Sequence, residues 1–257
     1  MVLSALRGAL GFLSRLPVGH SEAAWAAFTE TPAAFPLAGY VVGALVAVPF
    51  LAVDVVPTPV VGAAYLGAVV LVTGVNHADG LADVGDAAVV HGDPEARREV
   101  MRDTTVGVGA VLALGTVLVA LGLGGLAAAT LPMGVAVGVV VASEVGAKLG
   151  MATLACLGTP SHEGFGATML DGNGPADLLV ALVVAVPIAA LATPATTVSA
   201  VTGLVVALLV RRWAENTLDG VGGDVFGATN ELARVAALHA GVVAWHLLGG
   251  VPLWMRL

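Results

Sequence analysis

Apolar runs long enough to matter alternate in this chain with tight proline-marked turns and with three longer polar stretches. Leu3, Leu6, Leu10 and Leu13 recur at helical spacing with Arg7 and Arg15 between them, which predicts an amphipathic interfacial helix within residues 1–20. Arginine interrupts that run and no small-residue cleavage site follows, so the pattern is not a signal peptide. A first span is predicted from Ala34 to Val53, and Pro57-Thr58-Pro59 turns the chain into a second ending near Val75. Val106–Leu131 and Met133–Leu154 follow, separated by Pro132. Two short spans, Leu178–Ala192 and Val198–Val210, flank Pro194, and a last runs from about Val235 to Leu253. The predicted fold is therefore all-α: a polytopic transmembrane bundle of about seven spans with an amphipathic N-terminal helix, one integral membrane domain over residues 1–257. Residues 76–105, 155–177 and 211–234 are read as loops that meet on one side and form the active site there.

Composition sharpens this picture. Apolar residues make up 58% of the chain and charged residues 11%, with mean hydropathy +0.97; a soluble domain is nearer one half and one quarter. A net charge of −8 argues against an electrostatic nucleic-acid binder, which needs a basic face. Arg7, Arg15, Arg97, Arg98, Arg102, Arg211, Arg212 and Arg234 all fall on the polar-loop side, and only Arg256 falls opposite. The positive-inside rule then predicts a multi-pass cell-membrane protein whose active site faces the cytoplasm. The lipid bilayer is its expected surrounding, Trp213, Trp245 and Trp254 suit an aromatic belt, and glycine-rich spans allow association into a homo-oligomer. The single cysteine, Cys156, reads as a small buried hydrophobe.

Residues 74–109 carry seven of the eighteen acids and three of the ten bases. Asp79, Asp83 and Asp86 stand at i, i+4 and i+7, so a helix there aligns three carboxylates on one face. Their repulsion is relieved by a divalent cation, and oxygen ligands are what magnesium takes. Glycines beside the acids, Gly80, Gly223 and Gly227 among them, let backbone amides approach a phosphate. Together these features point to phosphoryl transfer, against the alternative of a merely solvated acidic face. Glu144 and Lys148, four apart inside the fourth span, read either as a mutually neutralising pair or as a lysine reaching a substrate phosphate. His239 and His246 share a helix face without an acid and read as packing residues, while Asp54 reads as solvated.

NHADGLADVGDA resembles the HLDGLADTADG motif of the cobalamin-5′-phosphate synthases, also called adenosylcobinamide-GDP ribazoletransferases. GFLSRLPVG, FPLAGYVVGAL, EVMRDTTVGVGA and LDGVGGDVFGATNE resemble four further family segments in the same order, from Gly11 to Glu231. The chain departs from the family pattern at Ala78, Thr105, Asp219 and Gly222. The resemblance implies a membrane transferase that uses Mg2+ to join adenosylcobinamide-GDP to α-ribazole or its 5′-phosphate, releasing GMP. It implies Asp79, Asp83 and Asp86 as metal ligands with Asp103 and Asp224 as a second acidic set, Arg102 holding the diphosphate, and His77 as base. A CDP-alcohol phosphotransferase of phospholipid synthesis is the alternative, but it wants an Ala-Arg pair after the first Asp-Gly, where Ala82 is followed by Asp83. A metal ion transporter wants ionisable groups at mid-depth on several spans, and only Glu144 and Lys148 qualify.

Overall fold

The computed structural model describes residues 2–190 and 194–248. Helices α1 (Val2–Leu13) and α2 (Glu22–Thr29) form a hairpin in which Gly8 meets the Ala24 carbonyl so closely that a Cβ would stand 2.2 Å from its oxygen. Ser21 caps α2 by accepting the Ala24 N–H at 3.3 Å. Ala5, Ala9 and Leu13 are buried on α1 while Val2 and Leu3 stay exposed, giving the amphipathic helix that the leucine spacing predicts. Helix α3 (Ala34–Val46) runs on through a 3₁₀ turn to Ala52, and α4 (Thr58–Thr73) returns with Pro59 in its first turn. At Gly74, where φ is 71°, the chain bends by 96° into α5 (Asn76–Val89). α5 therefore runs at nearly a right angle to α4 and packs against α7 and α12.

The chain continues through α6 (Pro94–Arg102), α7 (Val108–Ala128), α8 (Met133–Leu157), α9 (Phe165–Leu170), α10 (Pro175–Ala190), α11 (Pro194–Thr217) and α12 (Gly223–Leu248). α8 is the axis: α3, α10, α11 and α12 all pack on it, and an unbroken run from Ala142 to Cys156 is buried. Its small residues make this possible. At the α8–α11 crossing Gly203 lies against Gly146, and a Cβ on Gly203 would stand 2.4 Å from the Gly146 carbonyl carbon. The free thiol of Cys156 is buried in this core.

Four stretches are long and apolar enough to cross a membrane, Ala34–Ala52, Val108–Ala128, Met133–Leu157 and Pro194–Thr217, and a fifth arises if the bent α4–α5 pair counts as one. Among the described residues this count stops short of the expected seven and leaves that number unconfirmed. α10 is a shorter apolar helix, and α12 turns polar residues Asn230, Glu231 and Arg234 inward. The third polar stretch is also mostly helix: only residues 218–222 lie between α11 and α12, where 211–234 was expected as a loop. An Arg211–Glu215 ion pair at 2.9 Å, one helical turn apart, keeps the charged end of α11 wound. The expected end of the last span at Leu253, with Trp254 and Arg256, lies outside the described residues.

Candidate active site

α5 carries the aspartates, and two glycine contacts set its position. Gly80 meets the start of α12, where a Cβ would lie 2.7 Å from the Asp224 carbonyl oxygen. On the other side Gly109 of α7 approaches α5 so closely that a Cβ would lie 2.4 Å from the Gly85 carbonyl oxygen. Between these contacts Asp86 caps α7 from outside that helix, its two carboxylate oxygens accepting the N–H groups of Gly107 at 2.8 Å and Ala110 at 2.9 Å. Asp86 is buried; Asp83 is half-buried and Asp79 exposed. Three carboxylates on one helix face thus meet three environments.

Asp79, Asp83, Asp86 and Asp103 line one cavity of about 270 Å³, with Arg102 on its rim. Asp103 is exposed and accepts the Thr105 N–H at 3.0 Å, which holds its pKa below the usual carboxylate value. Burial pushes Asp83 up to about 6, and the nearby charges of Asp224, Asp79 and Asp86 add to the shift. Asp224 is raised too, by burial first and then by Asp79. These four acids therefore feel one another. Among the described residues no three His, Cys, Asp or Glu groups are close enough to enclose a metal ion. Magnesium needs no such cage, since it keeps several waters and takes one or two carboxylates plus substrate phosphates. The donor set of the cavity fits that requirement.

Segments from all three polar stretches meet beside this cavity. Pro160 and Val221 form a parallel bridge, with the Val221 N–H donating to the Thr159 carbonyl at 2.7 Å. Arg98 of α6 donates to the Leu218 carbonyl at 2.8 Å and pairs with Asp219 at 3.2 Å. A smaller cavity of about 50 Å³ opens there, lined by Arg98, Arg102, Ser161, His162 and Asp224. Ser161 and His162 were not singled out from the sequence; the only hint was a histidine in a glycine-flanked polar segment.

Other expected site residues lie elsewhere. His77 is 3% exposed, neither ring nitrogen has a hydrogen-bond partner, and the Phe12 ring stands edge-on to it at 6.2 Å. Lys148 is fully buried and bonded to Glu144, so it lines none of the cavities above. Glu144 also receives Arg234, and Arg234 reaches Glu231 at 2.6 Å, closing a buried quartet of two acids and two bases. The pairing reading of Glu144 and Lys148 holds, with two partners from α12 that the sequence reading did not connect. Gly80 and Gly227 lie at the α5–α12 crossing, Gly227 against the His77 backbone. Gly223 opens α12. His239 bonds the Ala120 carbonyl at 2.8 Å, a packing role, and Asp54 is exposed.

The family model described as cobalamin-5-phosphate synthase matches residues 5–242. A relative from Halorubrum lacusprofundi named adenosylcobinamide-GDP ribazoletransferase is 49% identical, over 95% of this chain and 99% of its own length. Relatives of the same name from Haloquadratum walsbyi and Halobacterium salinarum are 45% identical over 96% and 100%, and 51% identical over 75% and 98%, of this chain and of their own length. No solved structure matches.

Proposed function

The chain belongs to the cobalamin-5-phosphate synthase family, and from that premise we propose that it transfers the adenosylcobinamide-phosphate moiety of adenosylcobinamide-GDP to α-ribazole or α-ribazole 5′-phosphate, releasing GMP. A ribose hydroxyl oxygen of the acceptor bonds to the cobinamide-side phosphorus of the diphosphate. The bridging P–O bond breaks, and GMP leaves with that oxygen. The observation that carries this reading is the cavity lined by Asp79, Asp83, Asp86 and Asp103 with Arg102 on its rim.

Asp79 and Asp83, which have no hydrogen-bond commitments as strong as those of Asp86, would hold Mg2+, with Asp103 and Asp224 at the edges. Bound there, the ion would supply charge stabilisation to the phosphoryl oxygens. Asp86 spends both oxygens on the α7 terminus, so its part is to fix the helix that presents its neighbours. Arg102 holds only an exposed contact to Glu95 at 3.3 Å, a pairing weak enough to exchange for a diphosphate oxygen. The hydroxyl proton goes to a carboxylate of the open cavity, because His77 is sealed from it. The membrane is placed around the apolar helices with this cavity toward the cytoplasm, following the arginine bias. Self-association is proposed through outer helix faces such as that of Gly115, against which nothing packs.

The direct test uses purified protein in liposomes with adenosylcobinamide-GDP, α-ribazole and Mg2+, following GMP by chromatography. GMP release that requires both acceptor and Mg2+ is expected; its absence with correctly inserted protein rejects the reading.

A further inference from the structure

Two cavities contrast in the charge of their linings. One is lined by four aspartates. The other, about 510 Å³, is a half-open cavity bounded by α1, α2 and their connector, and its lining includes Arg7, Phe12, His20, Ser21 and Trp25 but no carboxylate. With Arg7 and His20 in the lining and no acid beside them, such a cavity suits an anion even in a chain of net charge −8. Arg7 is fixed at its wall by donating Nε–H to the Val18 carbonyl at 2.8 Å, and no ion pair among the described residues engages it. Its remaining donors are suited to a phosphate. Phe12 and Trp25 meet edge-on at 5.8 Å, so each braces the other as an aromatic wall. The same Phe12 touches His77, two residues before Asp79. The aromatic wall is thereby continuous with the aspartate helix.

We infer that this α1–α2 cavity is the seat of the acceptor: the flat base of the nucleoside lies against Phe12 and Trp25, and a 5′-phosphate, where present, is held by Arg7 and His20. This rests on the transfer reaction proposed above and assigns its second substrate a place that needs no metal. The donor diphosphate stays with the aspartates, and the acceptor ribose reaches toward them past Phe12, whose ring meets His77 of the aspartate helix. A phospholipid headgroup presents the same phosphate chemistry but lacks the flat base, which is what separates the two sources experimentally.

The test is tryptophan fluorescence of the full-length protein in nanodiscs, titrated with α-ribazole and with α-ribazole 5′-phosphate in the absence of donor and Mg2+. Acceptor quenches the emission, Trp25→Phe removes the quench, and Trp213→Phe retains it. Arg7→Ala weakens 5′-phosphate binding about 10- to 100-fold, the worth of a charge-assisted hydrogen bond, while shifting α-ribazole itself less than about threefold. Arg7→Lys recovers part of the loss. A quench indifferent to Trp25→Phe, or equal weakening of both ligands by Arg7→Ala, overturns the inference. So does a Trp25 signal that follows added phosphatidylglycerol but not acceptor, which makes the cavity a lipid site. If Arg7→Ala does not fold, the Trp25→Phe comparison decides alone. GMP release is scored separately: wild-type turnover without a Trp25 signal sinks only this inference, whereas no turnover sinks the reaction.

Discussion

Asp83 and Asp86 sit about one turn apart on α5, and their substitution by asparagine separates chemistry from folding. Asp83→Asn keeps the size and removes one charge from a crowded face, so insertion and thermal stability should hold while turnover drops about 10²- to 10³-fold, as for loss of one preorganised electrostatic contact. Turnover near wild type at saturating Mg2+ would reject the metal assignment. Asp86→Asn puts an amide N–H against the Gly107 or Ala110 N–H, and should cost about 1–2 kcal/mol of stability whether or not Mg2+ is present. Thermal unfolding in detergent reads that loss. Asp83 also carries a pH signature, since burial and its acidic neighbours raise it from 3.8 to about 6. A raised acid pKa means that the folded chain takes the proton more readily than the unfolded one, so this group's destabilisation is relieved as pH falls through 6. Metal-free protein should therefore unfold at a higher temperature near pH 5 than at about pH 7.5, with the gap shrinking in Asp83→Asn. An unchanged gap in that variant removes Asp83 as the cause.

Helix crossings govern the next scale. A Cβ on Gly109 would collide with the α5 backbone at Gly85, so Gly109→Ala must part α5 from α7 and loosen the cap that Asp86 places on α7. We expect a cost of about 1–3 kcal/mol from overpacking together with loss of activity. Gly115→Ala on the same helix meets nothing within 4 Å and should be neutral or stabilising by up to about 1 kcal/mol. Equal effects of the two, measured by unfolding and turnover, would deny the crossing its role. The buried quartet ties α8 to α12. Glu144→Gln strips two bases of their charge partner and should destabilise by about 3–5 kcal/mol. Glu144→Leu combined with Lys148→Met leaves Arg234 its Glu231 partner and should be less damaging than Glu144→Gln alone. A double variant worse than the single one would show that the pair itself carries the stability.

The whole molecule has one polar end, and its side of the membrane follows from where labels reach. Cysteines introduced at Glu95 and Asn216, both exposed, should react with an impermeant maleimide only when the reagent has access to the cytoplasm, whereas one at Asp54, in the turn between α3 and α4, should react from outside. Cys156 is buried and adds little background. Labelling of Glu95 or Asn216 positions in intact cells would reverse the orientation.

Hydropathy and periodicity determined the helical membrane class, the amphipathic α1 and the aspartate face of α5, because each depends on residues within a turn or two of one another. The spacing of Asp79, Asp83 and Asp86 could fix a common face but not their different exposures, which arise from contacts with α7 and α12 far along the chain. The same limit explains α12. A polar segment read in isolation looks like a loop, yet Glu231 and Arg234 become interior residues once Glu144 and Lys148 stand opposite them to neutralise their charge. It also explains His77 and Gly80: sequence presents them beside the aspartates, while the close passage of α12 over α5 buries the one and makes the other a contact point between backbones. Local patterns decide what an element is; which of its side chains meets solvent, substrate or another helix is set by elements whose approach no local pattern records.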